Sequence, residues 1–417
     1  MSQFLRFEQA IYPLWRRKMP GLLQSLAEPV LSAFYPVTAD RQAPQTPVQM
    51  ARFLVDWDLI QGADLQSLVN ALESTNSQIT CLGEAHQPQH YTGTPLRIPA
   101  QWSPGEKILI SWGRMYPTIW SMHAQIAEAI SAVALVEILV PTEMWARAVA
   151  VYLGERGLAD MANVQFLVLP TDDIWIRDYG PIMGMNPQGQ RVAVNAVYAV
   201  LPQYPQADDN RMTDLWAAHH GIPVQPLDLH TEGGNLWSDG LGTLLMSSQI
   251  FYSNRYHTRD TLLAYLRSIF DFEKAIITPR LTMEVTGHID LLVKLADAQT
   301  VLISKANSRS TEEVLRKTKR LFERETNALG QPYQVIELPT PPLYLNWITH
   351  QIRRAYTNAL TVNGRVLVPT YSIPEDEIAL KLYEQHMPEY TIIPIDSRLG
   401  INGGGSVHCM TKEIPAN

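Results

Sequence analysis

Short apolar runs alternate with amphipathic segments along most of the chain, and this pattern predicts strands and helices in a mixed order. Residues 107–113 (KILISWG), 135–140 (LVEILV) and 164–170 (VQFLVLP) are short and apolar, which predicts buried strands. Residues 119–133 and 142–157 lie between them, and their apolar positions recur with the period of a helix. This part of the chain is therefore predicted to belong to the α/β class.

Two stretches near the C-terminus repeat one order of elements: two strands about a turn, a helix, and a further strand. They cover residues 291–339 and 359–396. In the second stretch Asn363-Gly364 separates two apolar runs, which is a strong hairpin signal because both residue types accept positive φ. Hairpins inside each unit argue against a simple parallel doubly wound sheet. We therefore predict an internal repeat of ββαβ units, although the two sequences are not alike.

The first 95 residues differ from the rest of the chain. Residues 48–74 show helical periodicity, and the polar stretch 84–95 has the composition of a linker. We predict an N-terminal extension over residues 1–95 that is partly helical, followed by a second domain over residues 96–417. The sequence leaves open whether the extension is an oligomerisation element or a lid packed on the second domain.

The composition is that of an ordinary globular protein. Hydrophobic residues make up 46% of the chain and charged residues 18%, and the net charge is −8 without a basic block. We therefore expect neither nucleic acid nor an anionic membrane as a partner. The N-terminus lacks the apolar core of a signal peptide, no apolar run approaches the roughly 20 residues that span a bilayer, and two cysteines are too few for a disulfide framework. These observations predict a reduced, cytoplasmic protein.

Four short polar segments interrupt the apolar strands, and each contains residues that are costly to bury. They are residues 171–181 (TDDIWIRDYGP), 231–243 (TEGGNLWSDGLGT), 286–290 (TGHID) and 403–409 (GGGSVHC). Polar groups at strand ends and in loops are typical of catalytic sites, although each residue by itself has an ordinary structural explanation. Considered together, the candidate functional residues are Asp178, Glu232, His288, Asp290 and Cys409.

The spacing within two of these segments adds an expectation about geometry. His288 and Asp290 alternate along what we predict to be a strand, so both side chains would point to the same face. His408 precedes Cys409 in a segment predicted to be extended, so its side chain would point away from the thiol. We therefore interpret His408 as a structural residue.

A thiol, an imidazole and three carboxylates favour one kind of chemistry. A Cys-His peptidase needs a single orienting Asn or Asp, and additional carboxylates would raise the pKa of the thiol and weaken the nucleophile. The acids are useful if the substrate brings positive charge, and the planar guanidinium ion suits them because a carboxylate binds it through two parallel hydrogen bonds. The residue types favour attack by Cys409 on a guanidinium carbon.

The same motifs resemble those of the agmatine deiminase and bacterial-type peptidyl-arginine deiminase family. The matches are DIWIRDYGP, EGGN followed by DGLGT, TGHID, and GGGSVHC followed by Met410-Thr411. Weaker matches lie at residues 98–112 and 343–348, and the resemblance extends from residue 98 to residue 417. It implies the pentein fold, an α/β propeller of five ββαβ units about a pseudo-fivefold axis, with the active site in the central channel.

The resemblance also implies roles for the candidate residues. Cys409 would be the nucleophile, and Asp178 and Asp290 would bind the guanidinium group from two sides. His288 would act first as general acid and then as general base. Glu232 would orient His288 and help to bind the substrate.

The implied reaction is hydrolysis of a guanidino compound to a ureido compound and ammonia, without a metal or an organic cofactor. The backbone at Gly404 and Gly405 would pass close to the ligand. Family members are often homo-oligomers, and the expected partner is a small cationic guanidino substrate. Tyr179 departs from the agmatine deiminase pattern near the place where the substrate's tail would be selected. Guanidine chemistry is therefore implied more firmly than agmatine itself.

Four readings of the function remain open from the sequence. Agmatine is the first candidate substrate, and arginine in peptides is the second. An arginine side chain able to pair with a carboxylate would favour peptides or free arginine over agmatine. An amidinotransferase would use similar residues but would not release ammonia stoichiometrically. A guanidine-binding protein without catalysis is disfavoured by the complete set of candidate residues.

Overall fold

The structure is a computed structural model that describes residues 44–75, 78–82, 87–113, 119–158, 161–198, 206–281, 284, 286–306, 309–342, 344–345 and 351–416. Residues 1–43, 76–77 and 83–86 of the predicted extension lie outside these ranges, as do residues 343 and 346–348 of one weaker family match. None of the described helices is long and apolar enough to cross a bilayer.

The described ranges contain both helices and strands. The helices are α1 (Pro47–Asp56), α2 (Leu65–Ser74), α3 (Trp120–Ser131), α4 (Glu143–Glu155), α5 (Ile176–Tyr179), α6 (Ala207–His219), α7 (Gln249–Ser253), α8 (Arg259–Ile269), α9 (Arg309–Phe322) and α10 (Pro374–His386). The strands are β1 (Ile79–Cys81), β2 (Gly105–Ser111), β3 (Leu135–Val140), β4 (Val164–Val168), β5 (Ile182–Met185), β6 (Arg191–Val197), β7 (Val224–His230), β8 (Trp237–Ser238), β9 (Thr243–Ser247), β10 (Lys274–Thr278), β11 (Val293–Leu295), β12 (Thr300–Ser304), β13 (Gln334–Leu338), β14 (Tyr344–Leu345), β15 (Gln351–Ile352), β16 (Leu360–Val362), β17 (Arg365–Thr370), β18 (Thr391–Asp396) and β19 (Lys412–Pro415).

The largest sheet has the strand order β1-β4-β3-β2-β19. Strands β2, β3 and β4 are parallel, and the crossover helices α3 and α4 connect them, as the apolar runs predict. Strand β19, which follows the Cys409 segment, pairs antiparallel with β2. The C-terminal end of the chain is therefore held by hydrogen bonds to the first strand of this domain.

The three-stranded sheets share one construction. Their first two strands form an antiparallel pair, a helix follows, and a third strand then pairs parallel with the second strand. They are β5-β6-β7 with α6, β8-β9-β10 with α8, β11-β12-β13 with α9, and β16-β17-β18 with α10. The ββαβ order predicted for residues 291–339 and 359–396 is confirmed, as is the mixed α/β class. The predicted hairpin turn is present too, with φ of 39° at Asn363 and 80° at Gly364.

The described part of the predicted extension packs directly on the first sheet. Helices α1 and α2 lie against α4, and Phe53 of α1 contacts Trp145, with ring centroids 5.2 Å apart. Strand β1 adds to the edge of the sheet beside β4. The helical periodicity of residues 48–74 is divided between two helices, because Asp58 and Gly62 adopt φ of 57° and 69° between them. These contacts do not decide between a lid and an oligomerisation element, and the boundary at residue 95 stays a prediction.

Two glycines offer a matched test of the backbone conformations. An added Cβ would meet nothing within 4 Å at either Gly154, inside α4, or Gly364, in the β16-β17 turn, where φ is 80°. Gly154→Ala should raise the free energy of unfolding by about 0.5–1 kcal/mol, because alanine favours the helix. Gly364→Ala should lower it by about 1–2 kcal/mol, because a Cβ disfavours positive φ. Chemical denaturation measures both, and equal effects of the two substitutions would contradict the turn assignment.

Candidate active site

The four polar segments meet at one buried place, centred on the backbone of Gly234. A Cβ atom added to Gly234 would lie 2.6 Å from His288 Nδ1, 2.7 Å from Asp178 Oδ1 and 3.2 Å from Asp290 Oδ2. The backbone N–H of Gly234 donates a hydrogen bond to Asp178 Oδ1 at 3.1 Å. A side chain at position 234 would therefore displace the groups that the sequence predicts to be functional. Glycine at position 234 is required by this close approach.

The other two predicted residues join the same cluster. Cys409 Sγ lies 3.9 Å from Asp290 Oδ2, and Glu232 Oε2 lies 3.3 Å from His288 Nε2. Cys409 is 8% exposed and Glu232 is 4% exposed. The thiol and the acids are thus neighbours in one water-poor volume, with no apolar wall between them.

Asp178 is placed by the short helix α5 and by its neighbour Arg177. The backbone N–H of Arg177 donates to the carbonyl oxygen of Cys409 at 3.1 Å, and its Nε donates to the carbonyl of His408 at 3.2 Å. The two terminal nitrogens bind the carboxylate of Glu413. Arg177 is 2% exposed, so it forms a buried connection between the Asp178 and Cys409 segments and not a surface ion pair.

His288 lies between two carboxylates. Its Nδ1 is 3.5 Å from Asp178 Oδ1, and its Nε2 is 3.3 Å from Glu232 Oε2. The prediction that His288 and Asp290 share one face of a strand is wrong, because residues Ile289–Leu291 form a 3-10 turn that begins just after His288. The turn brings both side chains to the cluster, so their proximity has a different cause from strand alternation.

Burial and charge give His288 and the acids unusual proton affinities. Burial opposes protonation of His288, but the negative charges of Asp178 and then Glu232 outweigh it and raise the pKa of His288 to about 10. Burial raises the pKa of Asp178, and it raises the pKa of Asp290 to about 7. At neutral pH His288 is therefore an imidazolium ion that can donate a proton.

Cys409 is a thiol in the free site. Burial, and then the charges of Asp290 and Asp178, raise the pKa of Cys409 well above its ordinary value. A cation that neutralises those acids would remove part of this effect and increase the thiolate fraction. The electrostatics therefore connect activation of the sulfur to binding of a positively charged ligand.

Asn358 is a member of the cluster that the sequence analysis missed. Its Nδ2 lies 3.2 Å from Cys409 Sγ and 3.0 Å from Asp290 Oδ2, and its Oδ1 accepts a hydrogen bond from the backbone N–H of Cys409 at 3.4 Å. Asn358 is fully buried. Asn358 precedes a predicted strand, and no motif surrounds it. From the sequence it therefore looks like an ordinary loop asparagine.

His408 contacts the site through Asp290, and the prediction that it lies in an extended segment is wrong. Residues 407–410 form a turn and not an extended segment. His408 Nδ1 lies 2.8 Å from Asp290 Oδ2, and its ring stacks on Trp237 with centroids 4.9 Å apart. Burial, and then the positive charge of Arg177, lower the pKa of His408 well below its ordinary value. The ring is therefore neutral, and its Nδ1–H donates a hydrogen bond to Asp290.

Gly404 and Gly405 are each required, for two different structural reasons. Gly404 ends a 3-10 turn with φ of 105°, a conformation that other residues rarely adopt. A Cβ at Gly405 would lie 2.5 Å from the ring of Trp175 and 2.9 Å from Cys409 Cβ. Both glycines are thus needed to place Cys409, while contact of their backbone with a ligand stays a prediction.

The cluster has an unused acceptor for a cationic ligand. Asp290 Oδ2 receives hydrogen bonds from Asn358 and His408, but its buried Oδ1 has no hydrogen-bond partner among the described residues. A buried carboxylate oxygen without a donor is costly, and an N–H group of a guanidinium ion would satisfy it. Within the described ranges no three His, Cys, Asp or Glu side chains are arranged to hold a metal ion.

The raised pKa of Cys409 can be measured by alkylation with iodoacetamide. A Cys81→Ser background is needed because Cys81 is exposed. We expect slow alkylation at pH 7 that accelerates as the pH rises through the raised pKa, because only the thiolate reacts. Asp290→Asn should speed the reaction about tenfold at pH 8 by removing a negative charge beside the sulfur.

Asp214→Asn is the control for this experiment, since Asp214 is paired with Asn195 on α6 and β6 and makes no contact with Cys409. An alkylation profile like that of a free thiol, or equal effects of the two Asp→Asn substitutions, would contradict the electrostatic account of Cys409.

Comparison with known proteins identifies the group to which these motifs belong. The profile of the Porphyromonas-type peptidyl-arginine deiminase family matches residues 97–415. The agmatine deiminase of Pseudomonas aeruginosa (strain LESB58) is 25% identical over 362 residues, covering 78% of this chain and 98% of the relative. The agmatine deiminase of Pseudomonas syringae pv. tomato is 24% identical over 362 residues, covering 76% of this chain and 95% of the relative.

Solved structures show the same fold. The agmatine deiminase of Enterococcus faecalis superposes with a TM-score of 0.70 at 19% identity, covering 78% of this chain and 99% of that chain. A substrate-bound agmatine deiminase of C. jejuni superposes with a TM-score of 0.69 at 21% identity, covering 79% of this chain and 98% of that chain. The family profile spans most of the chain and includes every segment that contributes to the buried cluster, so this protein belongs to the Porphyromonas-type peptidyl-arginine deiminase family.

Proposed function

We propose that this protein hydrolyses the guanidino group of a small cationic substrate, with agmatine as the first candidate, giving N-carbamoylputrescine and ammonia. One observation carries the proposal: the thiol of Cys409 lies 3.9 Å from Asp290, in a buried cluster that also holds the His288 imidazolium. The negative charge of its buried carboxylates is only partly compensated within the cluster, so a cationic ligand is favoured. The names of the relatives from Pseudomonas and Enterococcus support agmatine as that cation.

The first half of the reaction is attack by sulfur. The guanidinium group binds between Asp178 and Asp290, the substrate charge lowers the pKa of the Cys409 thiol, and the thiol proton passes to solvent. The thiolate forms a bond to the guanidinium carbon, giving a tetrahedral adduct. His288 gives its proton to one amino group of the adduct, the carbon–nitrogen bond breaks, and ammonia leaves. An amidino group then remains attached to the sulfur of Cys409.

The second half is hydrolysis of that intermediate. His288, now neutral, takes a proton from a water molecule, and the resulting hydroxide attacks the amidino carbon. Collapse of the second adduct breaks the carbon–sulfur bond and turns the hydroxyl oxygen into the carbonyl oxygen of the ureido product. The hydroxyl proton passes to the departing sulfur, which restores the Cys409 thiol. Glu232 holds the Nε2 side of His288 throughout, which keeps the ring oriented as its proton is given up and regained.

We also infer that the ββαβ sheets surround a pseudo-fivefold axis in the pentein arrangement. The support is the construction that the three-stranded sheets repeat. Strands β19, β2 and β3 of the largest sheet follow the same pattern, because β19 pairs antiparallel with β2 and β3 pairs parallel with β2. The candidate residues come from segments that connect different sheets. A central location common to the sheets explains how residues more than a hundred positions apart reach one cluster.

A second candidate function is deimination of arginine in peptides, which the description of the family supports. An amidinotransferase would pass the amidino group to an acceptor amine, whereas hydrolysis releases ammonia stoichiometrically without one. Measurement of ammonia together with the ureido product, for agmatine, arginine and peptidyl arginine, separates these alternatives. Equal yields of ammonia and ureido product are expected for a deiminase.

Cys409→Ala tests the nucleophile. We expect ammonia release to fall by at least about 10⁴-fold, because no covalent intermediate can form. Agmatine should still bind within about tenfold of the unmodified protein, since Asp178 and Asp290 keep their positions; titration calorimetry measures this. Turnover that survives the substitution would remove Cys409 from the mechanism.

Asp178→Asn tests the binding of the guanidinium group. The substitution keeps the shape of the side chain but removes a buried charge, so substrate affinity should fall about 100-fold as the rate falls. The affinity is best measured in the Cys409→Ala background, where no turnover occurs. A loss of rate without a loss of affinity would mean that Asp178 does not contact the substrate.

A further inference from the structure

Lys294, in strand β11, is a buried lysine that the proposed mechanism does not use. It is fully shielded from solvent, and among the described residues no carboxylate lies within 4 Å of its Nζ atom. Burial lowers the pKa of Lys294 to about 7. Placing an amine in the interior is costly, and the cost is offset where its N–H groups are bound. The positions of its partners therefore indicate what the side chain does.

One partner of Lys294 is the backbone beside Asn358. Lys294 Nζ donates a hydrogen bond to the carbonyl oxygen of Ala359 at 3.0 Å. Ala359 directly follows Asn358 in the chain. Asn358 Nδ2 lies 3.0 Å from Asp290 Oδ2 and 3.2 Å from Cys409 Sγ. Lys294 is thus bound to the backbone from which one donor of Asp290 projects.

Gln101 supports the same stretch of backbone. Its Oε1 accepts hydrogen bonds from Lys294 Nζ at 2.9 Å and from the backbone N–H of Thr361 at 3.0 Å. Because two donors meet this one oxygen, the orientation of the amide group is fixed. The backbone that follows Asn358 is therefore held at the carbonyl of Ala359 by Lys294 and at the N–H of Thr361 by Gln101.

A second connection from Lys294 to Asp290 passes through two stacked rings. Lys294 Nζ lies 5.2 Å from the centroid of the Trp237 ring, a cation–π contact. The Trp237 ring stacks on His408, with centroids 4.9 Å apart and planes 11° apart. His408 Nδ1 donates to Asp290 Oδ2 at 2.8 Å. Trp237, His408 and Asp290 are each at most 3% exposed, so water does not compete for these contacts.

The two described donors of Asp290 Oδ2 are therefore both connected to Lys294. We propose that Lys294 is a positioning residue for the deiminase reaction, which keeps Asn358 and His408 on Asp290 Oδ2 and so leaves Oδ1 for the guanidinium group. The inference rests on the function proposed above. Lys294 acts only through Asn358 and His408, and it does not itself touch the reacting atoms.

Lys294→Met tests this role, because the substitution keeps the length of the side chain and removes its N–H donors. We expect agmatine affinity, measured by titration calorimetry in the Cys409→Ala background, to fall about tenfold. With Cys409 intact, kcat/KM for agmatine should fall at least as much. Lys294→Gln should recover part of the affinity, since it keeps N–H donors without the charge.

Alkylation of Cys409 gives a readout that needs no turnover. Burial raises the pKa of Cys409, and the hydrogen bond from Asn358 opposes that effect. A loosened Asn358 should therefore raise the pKa of Cys409 further. In the Cys81→Ser background, we expect Lys294→Met to slow alkylation by iodoacetamide at pH 8 about threefold to tenfold. Unchanged or faster alkylation would contradict the proposed support of Asn358.

Lys107→Met is the matched control. Lys107 is also buried, 6% exposed, and its Nζ binds Glu137 at 3.2 Å. No described hydrogen bond or ion pair joins Lys107 to Asn358 or His408. The substitution should lower the melting temperature, because Glu137 loses a buried ion pair. Agmatine affinity and the alkylation rate should stay within about twofold of the parent values, since the two sites are independent.

A double-mutant cycle separates positioning from general loosening. In the Cys409→Ala background, Lys294→Met and His408→Gln together should weaken agmatine binding by less than the product of their separate factors, because both disturb the same carboxylate. Lys294→Met combined with Lys107→Met should give the full product. A full product in both pairs would show that Lys294 does not act through His408.

The outcomes distinguish this proposal from the proposed function. If no guanidino compound yields a ureido product, the deiminase function is wrong, and the alkylation rates still report whether Lys294 supports the cluster. If agmatine is hydrolysed and Lys294→Met changes affinity and alkylation no more than Lys107→Met does, the deiminase function stands. Lys294 is then a structural residue only.

Discussion

Negative charge held out of water beside a thiol is the constraint on which the rest of this site depends. Asp178, Glu232 and Asp290 are each at most 8% exposed, and the His288 imidazolium compensates for only part of their charge. Burial, and then the charges of Asp290 and Asp178, raise the pKa of Cys409 and hold its sulfur in the unreactive thiol form. A cationic substrate neutralises the buried acids, and by doing so it lowers the pKa of the Cys409 thiol and activates the nucleophile. The free enzyme is thereby kept from reacting with neutral electrophiles.

The surrounding structure maintains this arrangement through contacts between distant segments. Arg177 connects the Asp178 segment to the carbonyls of His408 and Cys409 and to Glu413. Asn358 and His408 occupy one oxygen of Asp290 and leave the other for a ligand. Buried polar groups need hydrogen-bond partners, and each of these contacts supplies one. The contacts thereby fix the positions of the reactive atoms. The acids are therefore preorganised, which reduces the cost of ordering them when substrate binds.

The same reasoning applies to the unpaired oxygen at the centre of the site. Asp290 Oδ1 has no hydrogen-bond donor among the described residues. A buried carboxylate oxygen without a donor is destabilising unless a group from outside the protein completes it. The other oxygen of this carboxylate lies 3.9 Å from Cys409 Sγ, so a cation that completes Asp290 would lie beside the sulfur.

The sequence by itself determined the elements and the type of chemistry. Strands, helices and the Asn363-Gly364 turn follow from local periodicity and local backbone preference, and the residue types in the polar segments indicate a thiol working on a cation. Only the tertiary structure decided which other side chains take part. Asn358 and Cys409 are 51 positions apart, and Asp290 and His408 are 118 apart, so no local pattern announces their contacts. For the same reason a 3-10 turn at Ile289–Leu291 stands in place of a predicted strand, and a turn at 407–410 stands in place of a predicted extended segment. Both turns are hydrogen-bonded to segments that are distant in the sequence.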